Sequence, residues 1–91
     1  MKVDVFDTYA VGKSGDTLHF DIFVRSGSSK EVALSYCHKF LNEIGENSED
    51  FEGERCNFCH SEMVNDKIKK EVEKNGYFIL QMEGCPNPYI R

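Results

Sequence analysis

The chain has 91 residues, 40% of them hydrophobic, and a formal charge of −5 from 16 acidic and 11 basic side chains. That length supports one domain over residues 1–91, because a second core would not fit. The acidic balance argues against a nucleic-acid partner, since phosphate contacts need a basic surface or stripe. The basic run Lys67-Ile68-Lys69-Lys70 is interleaved with Asp66, Glu71 and Glu73 and reads as a solvated helix face. No segment approaches the ~20 apolar residues of a membrane span. Residues 1–7 carry acids and lack the apolar stretch of a signal peptide. The expectation is a cytoplasmic protein with reduced thiols. Its four cysteines then read as free thiols or metal ligands before disulfides.

Residues 2–9 alternate with the period of a strand, Val3 and Val5 on one side and Lys2 and Asp4 on the other. Residues 17–24 repeat the pattern, with Leu18, Phe20, Ile22 and Val24 opposed to His19, Asp21 and Phe23. The intervening Gly12-Lys13-Ser14-Gly15-Asp16 is turn chemistry, so the two runs predict a β-hairpin. Ser28-Ser29-Lys30-Glu31 fits a capping box with Ser28 as the acceptor. Behind it, Ala33, Tyr36, Cys37, Phe40, Leu41 and Ile44 share one face of a helix over residues 29–44, which Gly45 ends. Residues 46–54 are polar and acidic and lead to a short third strand near 51–57. Val64, Ile68 and Val72 give the stripe of a second helix ending at Asn75-Gly76. Tyr77-Phe78-Ile79-Leu80-Gln81-Met82 is nearly continuous in apolar residues, and its start reads as a central strand buried on both faces. Pro86 and Pro88 break it, and residues 86–91 read as a disordered tail. The order ββα(β)αβ predicts an α+β fold: an N-terminal hairpin, two helices and a C-terminal strand in a small mixed sheet with the helices packed on it.

Chemistry concentrates at Cys56-Asn57-Phe58-Cys59-His60. A Cys-x-x-Cys turn presents two thiolates at the separation a tetrahedral zinc ion needs. Cys56, Cys59 and Cys85 with His60 are the candidate metal ligands, and His19 or the Cys37-His38 pair are alternatives for the remaining position. Cys-x-x-Cys-His is also the pattern of covalent haem attachment, but that chemistry needs export, which nothing in the chain directs. A redox-active pair would sit where a strand opens a helix, and the early βαβ unit of such folds is missing. The competing account is small residues closing a tight turn, packed and inert.

His19 and Asp21 fall on one face of the second strand, with Asp7 opposite on the first, and a histidine oriented by a carboxylate serves as a general base. Against this stands the plain reading of a solvated sheet face. No nucleophile elbow, glycine-rich dinucleotide turn or phosphate loop occurs. The sequence thus predicts a small binding or accessory domain with a structural zinc site. A thiol enzyme using Cys59, a histidine–carboxylate enzyme and a self-associating module pairing through an edge strand are the alternatives.

Four segments carry a family resemblance: Val3-Asp4-Val5-Phe6-Asp7-Thr8-Tyr9; Leu18-His19-Phe20-Asp21; Cys56-Asn57-Phe58-Cys59-His60-Ser61-Glu62; and Gly76-Tyr77-Phe78-Ile79 with Met82-Glu83-Gly84-Cys85. On them the chain resembles the bacterial domain-of-unknown-function family 2024. The resemblance implies a compact α+β fold and assigns no activity and no functional residue.

Overall fold

Alternation in residues 2–25 produces the centre of the molecule. In the structure, a computed structural model describing residues 1–46 and 55–86, β1 (Lys2–Val11) and β2 (Thr17–Arg25) pair antiparallel from Val3↔Arg25 to Val11↔Thr17. The turn between them closes with Gly12 N–H donating to the Asp16 carbonyl at 2.8 Å, and Gly15 takes the left-handed φ of 88° that the reversal requires. Next come α1 (Lys30–Glu43), β3 (Cys56–Met63), α2 (Asp66–Asn75) and β4 (Tyr77–Gln81).

The four strands are ordered β3-β1-β2-β4, and every neighbouring pair is antiparallel. The α+β architecture with helices on a sheet is as the sequence implied; the mixed sheet is not. β4 does run in the direction of β1, but β2 lies between them, so no parallel ladder forms. β4 is also an edge strand, not a central one. Its apolar run reports two covered faces. Tyr77 and Ile79 pack with the α1 side, while Phe78 and Leu80 pack with the α2 side. The third strand begins at Cys56, so most of the stretch expected near 51–57 lies outside the described residues, as does the tail from 87 onward.

Each helix covers one face. Ala33, Cys37, Phe40 and Leu41 of α1 lie against Phe6, Ala10, Leu18, Phe20, Ile22 and Val24, the even-numbered positions of the hairpin. Val72 of α2, with Ile68 and the preceding Val64, covers the odd-numbered Val3, Val5 and Phe23 together with Leu80. The N-cap of α1 is Ser29, whose Oγ accepts from Val32 N–H at 3.3 Å. Ser28 was the expected cap; its own N–H instead closes the preceding turn on the Arg25 carbonyl at 3.0 Å. Among the described residues no helix is long and apolar enough to cross a membrane.

Two polar devices fix the connections. Asp4, 9% exposed, accepts from Ser26 Oγ at 3.2 Å, Gly27 N–H at 2.9 Å and Ser61 Oγ at 2.7 Å. One carboxylate thus ties β1 to the β2–α1 turn and to β3. At the end of α2, Gly76 has φ 92°, and a Cβ there would run into the hydroxyl of Tyr36, whose ring stacks on Tyr77 at 4.4 Å. Gly76→Ala is expected to cost about 2 kcal/mol from the left-handed backbone alone. A urea denaturation midpoint equal to wild type would show that neither the backbone nor the Tyr36 contact resists a side chain here.

Candidate functional site

α2 covers the Val3, Val5 and Phe23 end of its sheet face. Asp7, Tyr9, His19 and Asp21 lie further along the same face, because odd-numbered residues of both central strands share it. His19 N–H donates to the Glu83 carbonyl at 2.8 Å, and Met82 N–H donates to the His19 carbonyl at 2.9 Å. The backbone of odd-numbered β2 residues is therefore turned toward β4. Asp7 and Asp21, which face each other in register, are then a non-hydrogen-bonded pair of β1 and β2. Such pairs bring Cα atoms to about 4.5 Å and side chains closest together. Like charges so opposed destabilise a sheet.

His19 sits one step along from Asp21. Its Nε2 lies 2.6 Å from Asp7 Oδ1, and the two side chains are 24% and 38% exposed. Tyr9, opposite His19 in register, stacks its ring on the imidazole at 4.3 Å and 6°. One donor atom from each of Asp7, His19 and Asp21 falls within 4.8 Å of the other two. Metal bonds of about 2.1 Å hold adjacent donors about 3 Å apart. The three groups thus lie within a small side-chain adjustment of closing on one ion. Imidazole with two carboxylates suits a divalent first-row metal. Without an ion, the same Asp7–His19 pair is an imidazole oriented by a carboxylate.

The cysteine cluster is placed differently from a chelating turn. Residues 56–63 are a strand and not a turn, with Cys56 buried and Cys59 exposed. The register shifts between Val5, paired with His60, and Phe6, paired with Phe58, so Cys59 is the extra residue of a β-bulge. Cys56 is buried beneath α1, where its Sγ accepts from Thr8 Oγ1 at 3.5 Å and from the Cys37 thiol. The bond from Cys37 holds the Cys56 thiol below its ordinary pKa, helped by Thr8 and the Lys30 charge and opposed by burial. Cys37 is pushed up by the same bond and by burial. Cys59 and His60 are exposed, and His60 Nε2 lies 3.6 Å from Glu62 Oε1. Cys85 lies past β4, with its Sγ donating to the His19 carbonyl at 3.5 Å, and burial raises its pKa. β3 and β4 are opposite edges, about 14 Å apart at 4.8 Å per strand step. Cys56, Cys59, His60 and Cys85 do not converge on one point in this arrangement. Sequence reasoning located His19, Asp21 and Asp7 by alternation but missed Tyr9, whose position opposite His19 follows once the hairpin register is fixed.

Comparison with known proteins adds fold and family. The model for "Domain of unknown function (DUF2024)" matches residues 1–82. The NMR structure of protein NE1680 from Nitrosomonas europaea is similar at 39% identity and a TM-score of 0.82, over 93% of this chain and 99% of that one. No curated protein matches the chain.

Proposed function

We propose that this chain, which belongs to the DUF2024 family, is a small binding domain that holds one divalent transition-metal ion on Asp7, His19 and Asp21. The observation that carries this reading is the meeting of three donor atoms within 4.8 Å on a half-buried sheet face. The direct opposition of Asp7 and Asp21 supports it, because it brings two carboxylates together at the closest register of a sheet, where one cation can reach both. Tyr9 supports it too, since a ring stacked on His19 restricts the imidazole and lowers the ordering cost of coordination.

A calorimetric titration of the metal-free protein with zinc, repeated with manganese, tests the proposal. One ion per chain is expected, and no binding of either would refute it. Thiol reactivity in the same samples separates this reading from zinc on Cys56, Cys59, His60 and Cys85. Ion binding that leaves thiol reaction rates unchanged places the metal on the carboxylates and histidine. Rates slowed by zinc and restored by chelator would move it to the cysteines.

A further inference from the structure

β3 is an outer strand, and among the described residues no strand pairs with its free side. Which backbone groups point there follows from the ladders. The His19 backbone is turned toward β4, so even-numbered residues of β1 and β2 bond to each other and odd-numbered residues of β1 turn to β3. The Val64 N–H on the Met1 carbonyl at 3.3 Å continues that phase. Val3↔Glu62 and Val5↔His60 are then the hydrogen-bonded pairs of β1 and β3. Ser61 and Met63 alternate with them and present N–H and C=O outward. Ser61 Oγ donates to Asp4 at 2.7 Å, which anchors this stretch to its own chain without using the outward groups.

Open edges are commonly blunted by short length, lysine or proline. The other edge, β4, has five residues, whereas β3 has eight and contains no lysine, arginine or proline. The bulge at Cys59 leaves residues 60–63 regular. Phe58 and Met63 of β3 are the two most exposed large hydrophobic residues described, at 56% and 72%. Both register with even-numbered β1 residues, so they share the α1 face, while His60 and Glu62 share the other. A second copy of β3 can add antiparallel about a two-fold axis. Outward groups must meet outward groups, so the axis passes through one residue position. An axis at Glu62 would oppose two carboxylates, which destabilises a sheet. Only the axis at Ser61 sets His60 against Glu62 of the second copy, twice over, at the register where side chains come closest. The same axis lays Met63 against the Phe58–Cys59 stretch of the second copy.

We propose that the outer side of β3 is a self-association surface, where two copies of this chain pair about a two-fold axis at Ser61 into one continuous antiparallel sheet. The pairing is independent of any bound ion. Because a strand edge is a small interface, sedimentation between about 10 µM and about 1 mM should show a reversible monomer–dimer equilibrium. Concentration-dependent ¹⁵N amide shifts are expected at residues 58–63 and not in β4. His60→Glu opposes carboxylates across the axis and should weaken the dimer about tenfold or more. Combining His60→Glu with Glu62→His restores the opposition in reverse and should return dimerisation to near the wild-type level. Both side chains are well exposed, at 50% and 38%, so these variants should keep the fold, which circular dichroism checks. A wild-type monomer throughout the range would overturn the proposal. Shifts confined to β4, or a dimer unchanged by His60→Glu, would overturn it too, by placing the contact elsewhere. A double variant that fails to recover would refute the axis at Ser61.

Discussion

Asp21→Asn and His19→Ala are each expected to weaken zinc or manganese binding by about 100-fold or more. Loss of an outer partner of a metal ligand already costs 10–100-fold, and these residues would be the ligands themselves. The effect should also appear as stability. An ion present at 100 times its dissociation constant stabilises the folded state by about 2.7 kcal/mol. For a domain of this size that is a rise in Tm of more than about 10 °C. The rise should be present in wild type and absent in both variants. Thr8, whose hydroxyl faces the opposite side of β1, provides a contrast: Thr8→Val should leave ion-induced stabilisation intact. If Asp21→Asn keeps the wild-type rise, the ion is bound elsewhere.

The second large effect is expected at Asp4. Its carboxylate accepts three hydrogen bonds from three different parts of the chain while 9% exposed. Removing it in Asp4→Ala leaves the Gly27 N–H and two hydroxyls to find new partners, at about 3 kcal/mol in total. The hydrogen bond from Ser61, then that from Gly27, hold the Asp4 pKa below its ordinary value, against the opposing effect of burial. The sign of the pH dependence follows. A carboxylate with a depressed folded pKa stabilises the fold above its unfolded pKa, about 3.9, and that contribution fades as pH falls through the folded value. Wild type should therefore lose stability on acidification below about pH 4 more steeply than Asp4→Asn, which has no proton to take up there. Urea denaturation across pH 2–6 measures both curves. Parallel acid limbs would show that the three hydrogen bonds do not depend on the charge.

How much of this could be read from residues alone depends on what each pattern encodes. Alternation in β1 and β2 reports burial directly, so the hairpin, its two faces and the grouping of His19 with Asp21 were legible. The helical face of Ala33, Cys37, Phe40 and Leu41 was legible for the same reason, and all four are buried. Tyr77-Phe78-Ile79-Leu80 was misleading because an apolar run measures coverage by helices, and an edge strand flanked on both faces gives the same signal as a central one. The cysteine motif is ambiguous from sequence for another reason. Cys-x-x-Cys spacing implies chelation if the backbone turns, and around Cys59 the backbone is extended with a bulge. Whether a segment turns or extends there is decided by pairing with β1, a contact some fifty residues away in sequence that no local pattern states.

The strand order has a consequence for how the molecule comes apart. The two inner strands are consecutive in sequence, while each outer strand joins through a helix of its own: β3 docks on β1 behind α1, and β4 docks on β2 behind α2. Either flank can detach as a partial unfolding event while the hairpin ladder stays closed, so amide exchange should be slowest in β1 and β2 and faster at both rims. Asp7, His19 and Asp21 all belong to that slow inner pair. The proposed cation site would thus rest on the strands expected to exchange slowest, with the flanks free to open around it.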